Sequence, residues 1–507
     1  MTTQKQFLKS GAMLALVALL MRAISLAFNA YITRTVGAEG MGLMSLTMSV
    51  YGFAVTFATA GVSLAVTRLV AAALGRAEGA RAARVMRCAV LYALIFGGGA
   101  SLILYLGSDV ISVSLLADIR TRASLRLLSI SLLPIALSAV YSGYFIATRR
   151  VIHNAVTQVA EQCVKILLTF GGLTLAEGDV EYACLALVGG SSLAELFSFF
   201  LLFAQAKLVM AKNKMEGGRT GGEGKAFFKY AFPCAVSAQL RSGLVTVQHL
   251  LIPYALSLGG VARAEALSSY AAMHSMALPI VLFPTAILSS FSGLLVPECA
   301  ELESRGSKKT LSRLCEKALF TALTFACLAA AVLFLGADSL GTLVYKSTEA
   351  GVYVRALAPL VPVMYLDSVV DAHLKGLGYQ VYSMGVNIVD AAASVLGVLF
   401  LLPRMGAVGY IAVVYITELL NFLLSLGKLL TLIRLPRRPC IWLLPVLAAI
   451  VSVFLGGLLD PFEGVGSLLC RSLLGIGAYA LAIALLYPRS NVPLPLDKTE
   501  RKCYNKA

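Results

Sequence analysis

The sequence predicts an all-α polytopic membrane protein of about 14 transmembrane helices, built as two six-helix lobes in parallel pseudo-repeat plus a C-terminal helix pair. Three observations carry that expectation. The 507 residues are 59% hydrophobic and only 13% charged, with a mean hydropathy of +0.84. Soluble domains carry about 25% charged residues, so a soluble enzyme, a disordered chain and a disulfide scaffold are all excluded. The apolar residues are gathered into stretches of about 20, the length that crosses about 30 Å of hydrocarbon. Finally, Lys and Arg alternate from one set of connecting loops to the other.

The first apolar segment, 11–32, follows the polar stretch Met1–Ser10 and carries Arg22, with no small-residue cleavage site behind it, so it reads as a span and not a cleaved leader. Segments 43–67, 88–107 and 125–148 follow; Gly97-Gly98-Gly99 allows close helix approach and Pro134 a bend. Segments 157–176 and 182–206 complete the first lobe, 1–206, and carry Glu161, Lys165 and Glu195. Residues 207–229, with Gly217-Gly218 and Gly221-Gly222, read as a flexible cytoplasmic linker. The second lobe, 230–428, holds segments 230–257, 269–296, 318–337, 352–374, 382–402 and 407–428. Segments 441–459 and 467–487 form the added pair, and 488–507 is a polar cytoplasmic tail. Pro233, Pro253, Pro279, Pro284, Pro359 and Pro362 lie in or at the ends of spans, where proline bends a helix and frees backbone groups for a cavity.

With the N-terminus inside, cytoplasmic segments hold 30 Lys and Arg and the opposite side 9, while Arg22, Lys165 and Arg241 fall within spans. This places both termini in the cytoplasm of a multi-pass cell-membrane protein. The formal net charge of +16 is therefore a topology signal and gives no reason to expect nucleic acid. No loop is large enough for a catalytic domain, and no nucleophile–base pair, phosphate loop or metal-ligand spacing is present, so the chain reads as a non-enzyme without a cofactor or metal. The ten cysteines form no C-x-x-C pair and read as small buried hydrophobes.

Echoes between the halves support the repeat. Arg22-x6-Asn29 answers Arg241-x6-Gln248 at an offset of 219, Gln158-x-x-Glu161 answers Asn387-x-x-Asp390 at 229, and Glu195 answers Glu418 at 223. Corresponding segments start on the same side, so the axis runs along the membrane normal, the architecture of an alternating-access carrier.

Charges within spans are costly and must face protein or water. Arg22 and Asn29 lie two turns apart on one helix face. Arg34 follows at the external end, and Arg241 and Gln248 repeat the arrangement beside His249. A guanidinium presents a bidentate fork to phosphate oxygens, so Arg22, Asn29, Arg34, Arg241 and Gln248 form a candidate head-group site. The competing reading pairs each arginine with a nearby carboxylate and leaves Arg34 at the interface. Glu161 and Lys165 are spaced for a helical ion pair. Asp367 and Asp371 share that spacing with like sign, so one holds a proton or both hold a cation, unless Asp371 simply sits at a wet helix end near His373 and Lys375. With Asp390 and Glu418 these are candidate ion-coupling residues. His249 and His274 read as satisfied polar residues.

Short motifs carry a family resemblance over most of the chain, clearest over 1–430. They are Arg34-Thr-Val-Gly-Ala-Glu-Gly-Met-Gly-Leu, Gln158-Val-Ala-Glu161-Gln, Met276-Ala-Leu-Pro279-Ile with Phe283-Pro284 and Leu295-Val-Pro297-Glu, and Leu374-Lys-Gly-Leu-Gly followed by Pro403-Arg-Met-Gly-Ala-Val-Gly. In these the chain resembles the stage V sporulation protein B branch of the polysaccharide-transporter group, within the multidrug/oligosaccharidyl-lipid/polysaccharide superfamily. The resemblance implies fourteen helices around a central cavity and export of an undecaprenyl-linked saccharide, with spore cortex peptidoglycan as one destination. It implies helix 1 arginines that bind the pyrophosphate. Arg22 matches the first of them, whereas Phe28-Asn29-Ala30 stands at the next cationic position, which shifts weight to Arg241. The expected partners are a lipid-linked saccharide, membrane lipids and a coupling ion, Na+ or H+, for a monomer. The rival readings are a cation-coupled multidrug exporter and a non-transporting scaffold for cell-wall synthesis.

Overall fold

A computed structural model describes residues 2–75, 78–148, 150, 152–175, 180–212, 223–433, 439–457, 473 and 475–480. Most of the 207–229 linker, most of the last apolar segment and the tail lie outside the described residues. Among the described residues there is no strand. The helices are α1 (Thr2–Thr59), α2 (Val62–Gly75), α3 (Gly79–Val110), α4 (Thr121–Ala147), α5 (Ile152–Leu175), α6 (Val180–Lys212), α7 (Glu223–Leu258), α8 (Arg263–Tyr270), α9 (Leu278–Leu282), α10 (Thr285–Ser304), α11 (Lys308–Tyr345), α12 (Thr348–Leu357), α13 (Val361–Gly376), α14 (Gln380–Leu432) and α15 (Pro439–Gly457).

Seven helical runs among the described residues are long and apolar enough to cross a membrane. The 58 residues of α1 would extend about 87 Å at 1.5 Å per residue, far more than one crossing. The helix is broken at Gly37 (φ 81°, ψ 170°), in the loop expected between the first two apolar segments. Gly406 (φ 57°, ψ −136°) divides α14 in the same way. Such backbone angles strain any residue with a Cβ. Although long enough, α5 and α7 are not among the seven. They carry Gln158, Glu161, Gln162 and Lys165, and Gln239, Arg241, Gln248 and His249, the composition of helices that turn part of their surface away from lipid.

The proline-rich spans are interrupted as expected. A π-helical turn, Ala271–Ala277, precedes Pro279, the helix breaks again at Phe283-Pro284, and a 3-10 turn, Ala358–Leu360, contains Pro359. Of the three consecutive glycines in α3, only Gly97 serves close packing: a Cβ there would lie 2.6 Å from the Ala136 Cβ, whereas Gly98 and Gly99 face open space. Packing within the first half joins α3 to α4 and α6 to both α4 and α5; in the second half α7 lies along α14, and α11 along α12, α13 and α15. Helix α1 joins the halves, packing against α3 and α4 on one side and α7, α8 and α10 on the other. The last described residues return to α11: Tyr479 donates to the Thr324 carbonyl at 2.7 Å and Ser452 of α15 to the Gly475 carbonyl at 2.7 Å.

Between α1 and α2 the chain turns at Gly61 (φ 76°), and a Cβ there would lie 2.2 Å from the Ala231 carbonyl oxygen of α7. Gly61→Ala is expected to cost at least about 1–2 kcal/mol for the left-handed backbone alone, with the backbone clash in addition. Thermal unfolding in detergent should show a melting point lowered by several degrees, and an unchanged midpoint would contradict this close approach.

In the loop before α4, Asp118 is largely covered. Burial alone would raise its carboxyl, but Arg120, which donates to it through both backbone and side chain at 2.6–3.1 Å, and the charge of Arg263 bring it below the ordinary 3.8. A depressed folded-state value contributes stability above the unfolded value, lost as pH falls through the folded one. The stability difference between wild type and Asp118→Asn should therefore hold at neutral pH and vanish as the buffer drops below about 4.

Candidate functional site

Arg22 apart, the charged candidate residues of the spans gather into two groups, one in each half of the chain. In the first half, Glu161 of α5 is hydrogen-bonded by Ser198 of α6 and feels the charge of Lys165. Glu195 of α6 interacts with both Glu161 and Lys165. The spacing of Glu161 and Lys165 is that of an ion pair, yet no contact within 4 Å joins them among the described residues, and Lys165 serves two carboxylates at longer range. Tyr51 of α1, hydrogen-bonded to Ser131 at 2.6 Å, lies within reach of both acids.

Lys165 also lines a cavity of about 280 Å³ walled by residues of α1, α5 and α6. Its polar wall includes Ser25, Asn29, Ser45, Gln162 and Ser191. The apolar wall is led by Met41, Met44 and Met48, one face of the second stretch of α1 at helical spacing. Unbranched, polarizable thioethers can re-pack around ligands of different shape.

In the second half, Arg241 of α7 acts electrostatically on Asp367 of α13 and on Asp390 and Glu418 of α14. These three carboxylates also act on one another, with Asp390 and Asp367 both felt by Glu418. Asp371 is neutralised one turn on by Lys375 at 2.5 Å and takes a short hydrogen bond from Ser383. The like-charged spacing of Asp367 and Asp371 is thus resolved on one side only: Asp371 has a cation, whereas Oδ1 of Asp367 is buried without a hydrogen-bond partner among the described residues.

The five candidate head-group residues do not converge on one point. Arg22 is half-buried on α1, and its charge reaches Tyr365 of α13, whose hydroxyl donates to the Val281 carbonyl at 2.7 Å. Arg241 is exposed and faces the acidic group just described. Asn29 lines the cavity, but its amide donates to the Ser275 carbonyl at 2.8 Å and the Tyr345 hydroxyl at 3.2 Å. Arg34 is exposed and binds backbone carbonyls of α11. Gln248 is half-buried on α7. Its neighbour His249 shares a hydrogen bond with Ser49 at 3.0 Å and meets the His274 ring edge-on at 4.3 Å, and His274 stacks on Tyr270. This aromatic stack lies where α7 meets α1, a grouping that no local spacing announces.

Comparison with known proteins places this geometry. A family model described as polysaccharide biosynthesis protein matches residues 7–303. The chain is 25% identical over 419 residues to "Stage V sporulation protein B" of Bacillus subtilis (strain 168), covering 80% of each chain. It is 19% identical over 381 residues to "Sporulation protein YkvU" of the same organism, covering 74% of this chain and 83% of that one. Among solved structures, "Lipid II flippase MurJ, inward closed conformation" superposes with a TM-score of 0.74 at 14% identity, covering 94% of this chain and 99% of that one. A multidrug resistance MATE family transporter of the MOP superfamily, in an inward-facing conformation, gives 0.63 at 14% identity over 82% of this chain and 98% of that one.

Proposed function

The chain belongs to the polysaccharide biosynthesis protein family, and on that premise we propose that it is a flippase for a polyprenyl-pyrophosphate-linked saccharide, working by alternating access in the cell membrane. The observation that carries this reading is the presence of three cations within the spans, Lys165 on the wall of the cavity and Arg22 and Arg241 on the packed helices α1 and α7. A pyrophosphate bears charge that hydrocarbon excludes, and guanidinium forks match its oxygens. The polyprenyl tail stays in lipid while the head group crosses between two lobes, 1–206 and 230–428, with both termini cytoplasmic as the Lys and Arg distribution indicates. The names of two relatives, a sporulation protein and a lipid II flippase, support a cell-wall precursor as cargo. Net movement against a gradient needs a coupled energy source, and the group of Asp367, Asp390 and Glu418 offers carboxylates for a coupling proton or Na+.

That same acidic group favours a second reading, a cation-coupled multidrug exporter. Reconstitution separates them. Purified protein in liposomes with a defined lipid-linked oligosaccharide, with and without an ion gradient, should move the head group across the bilayer. Transport of organic cations with no movement of the lipid-linked saccharide would overturn the flippase reading.

A further inference from the structure

The end of the bundle at which α1 breaks at Gly37 is fastened across the two halves of the chain by side-chain contacts to backbone carbonyls. Helix α11 stops at Tyr345 because Lys346 adopts a left-handed conformation (φ 54°). The last turn of any helix leaves carbonyls without intrahelical donors. Two are taken locally: the Lys346 amide donates to Thr342 at 3.0 Å and the Ser347 amide to Gly341 at 3.2 Å. The next two, Leu343 and Val344, are taken by the guanidinium of Arg34, 309 and 310 residues away in sequence. Its Nε reaches the Val344 oxygen at 3.0 Å and Nη2 the same oxygen at 2.7 Å, while Nη2 also donates to Leu343. A planar fork with a fixed positive charge suits adjacent carbonyls at the negative end of a helix.

The same stretch of chain grips a second element of the other half. Asn29 donates to the carbonyl of Ser275, which lies in the π-helical turn Ala271–Ala277, and Ser45 meets the Ser275 hydroxyl at 2.5 Å. Gly42 brings backbones together: a Cβ there would lie 2.4 Å from the Leu267 carbonyl oxygen of α8. Arg34 itself is exposed, so water competes for its carbonyls and the fastening is reversible. None of these partners is a carboxylate, so the contact can open and close without a proton being gained or lost.

We infer that Arg34, capping α11 from across the molecule, is the latch of an outer gate, with Asn29, Gly42 and the Ser275 turn as the seam that it holds shut. This rests on the flippase reading, in which the Gly37 end faces outward and must part to release the head group.

Hydrogen exchange by mass spectrometry on the full chain in lipid nanodiscs tests it, comparing wild type with Arg34→Ala and Gly42→Leu. In Arg34→Ala, peptides covering 271–277 and 341–347 should exchange about tenfold faster, the effect of removing one charge-assisted interaction from a two-state equilibrium, and in Gly42→Leu the same peptides should exchange faster because the added side chain meets the Leu267 carbonyl. Peptides at the other end, 61–66 and 227–235, should be unchanged. Faster exchange in Arg34→Ala confined to 341–347 would mean that the arginine only prevents fraying of α11, and it overturns the latch, as does no change. Gly42→Leu keeps Arg34 and opens the seam by a clash, so the test stands should Arg34→Ala fail to fold. Lipid-linked saccharide transport in the same wild-type preparation separates the two claims: the expected exchange without transport supports the latch and removes the flippase reading, and transport with unchanged exchange does the reverse.

Discussion

Arg22→Ala is expected to abolish movement of a lipid-linked saccharide while leaving the protein folded. The side chain is half-buried on α1, and no ion pair joins it to a carboxylate among the described residues; the group its charge reaches is the Tyr365 hydroxyl. Removing it therefore strands no buried acid, and the expected change in stability is within about 1 kcal/mol. The pyrophosphate, in contrast, loses a bidentate partner. At about 1.5–3 kcal/mol for a hydrogen bond to a charged group, transport should fall at least about tenfold. Arg22→Lys keeps the charge without the fork and should fall between the two. The measurement is head-group accessibility in proteoliposomes, paired with a melting curve in detergent. Wild-type rates from Arg22→Ala would show that the cation on α1 is not part of the path.

That difference between Arg22 and Arg241 is one that the sequence could not draw. Both arginines stand seven residues before an amide in the echo between the halves, and the resemblance only shifts weight toward Arg241 without showing that acids surround it. Hydropathy and charge revealed the helices because lipid imposes a length and a polarity on every crossing. They revealed the charged positions because such residues are rare in spans. What they did not reveal are the partners. Asn29 meets Ser275, 246 residues on, through a backbone carbonyl, and Arg34 meets two more. A carbonyl is common to every residue and leaves no mark in composition. The π-helical turn that presents Ser275 is equally silent, since Ala271–Ala277 has the composition of an ordinary helix. Lys375, in contrast, was legible as a neighbour of Asp371 because it sits one turn away on the same helix, and the ion pair forms at 2.5 Å. The Asp371–Lys375 pair was readable from its spacing, the Glu161–Lys165 pair at the same spacing does not close within 4 Å among the described residues, and the contacts between the halves left no mark in the sequence.

Arg241→Ala should behave in the opposite way to Arg22→Ala, losing folded protein along with transport. Asp367, Asp390 and Glu418 lie within its electrostatic reach and repel one another. Removing one partner of a fully buried charge pair costs about 3–5 kcal/mol, since the remaining charge is stranded. Arg241 is exposed, so solvent screening reduces the expected loss to about 1–2 kcal/mol, read as a lower melting point and poorer yield. Asp390→Asn in the same background removes one of the stranded charges and should recover most of that loss. The double variant would then be more stable than the sum of the two single changes allows, the signature of direct coupling. A melting point unchanged in Arg241→Ala would mean that the three acids already share protons or a bound cation. In that case the guanidinium is free for the head group, and Arg241 takes the same role as Arg22. The two arginines that the repeat makes equivalent would then be equivalent in function, and the acidic group alone would remain to couple an ion.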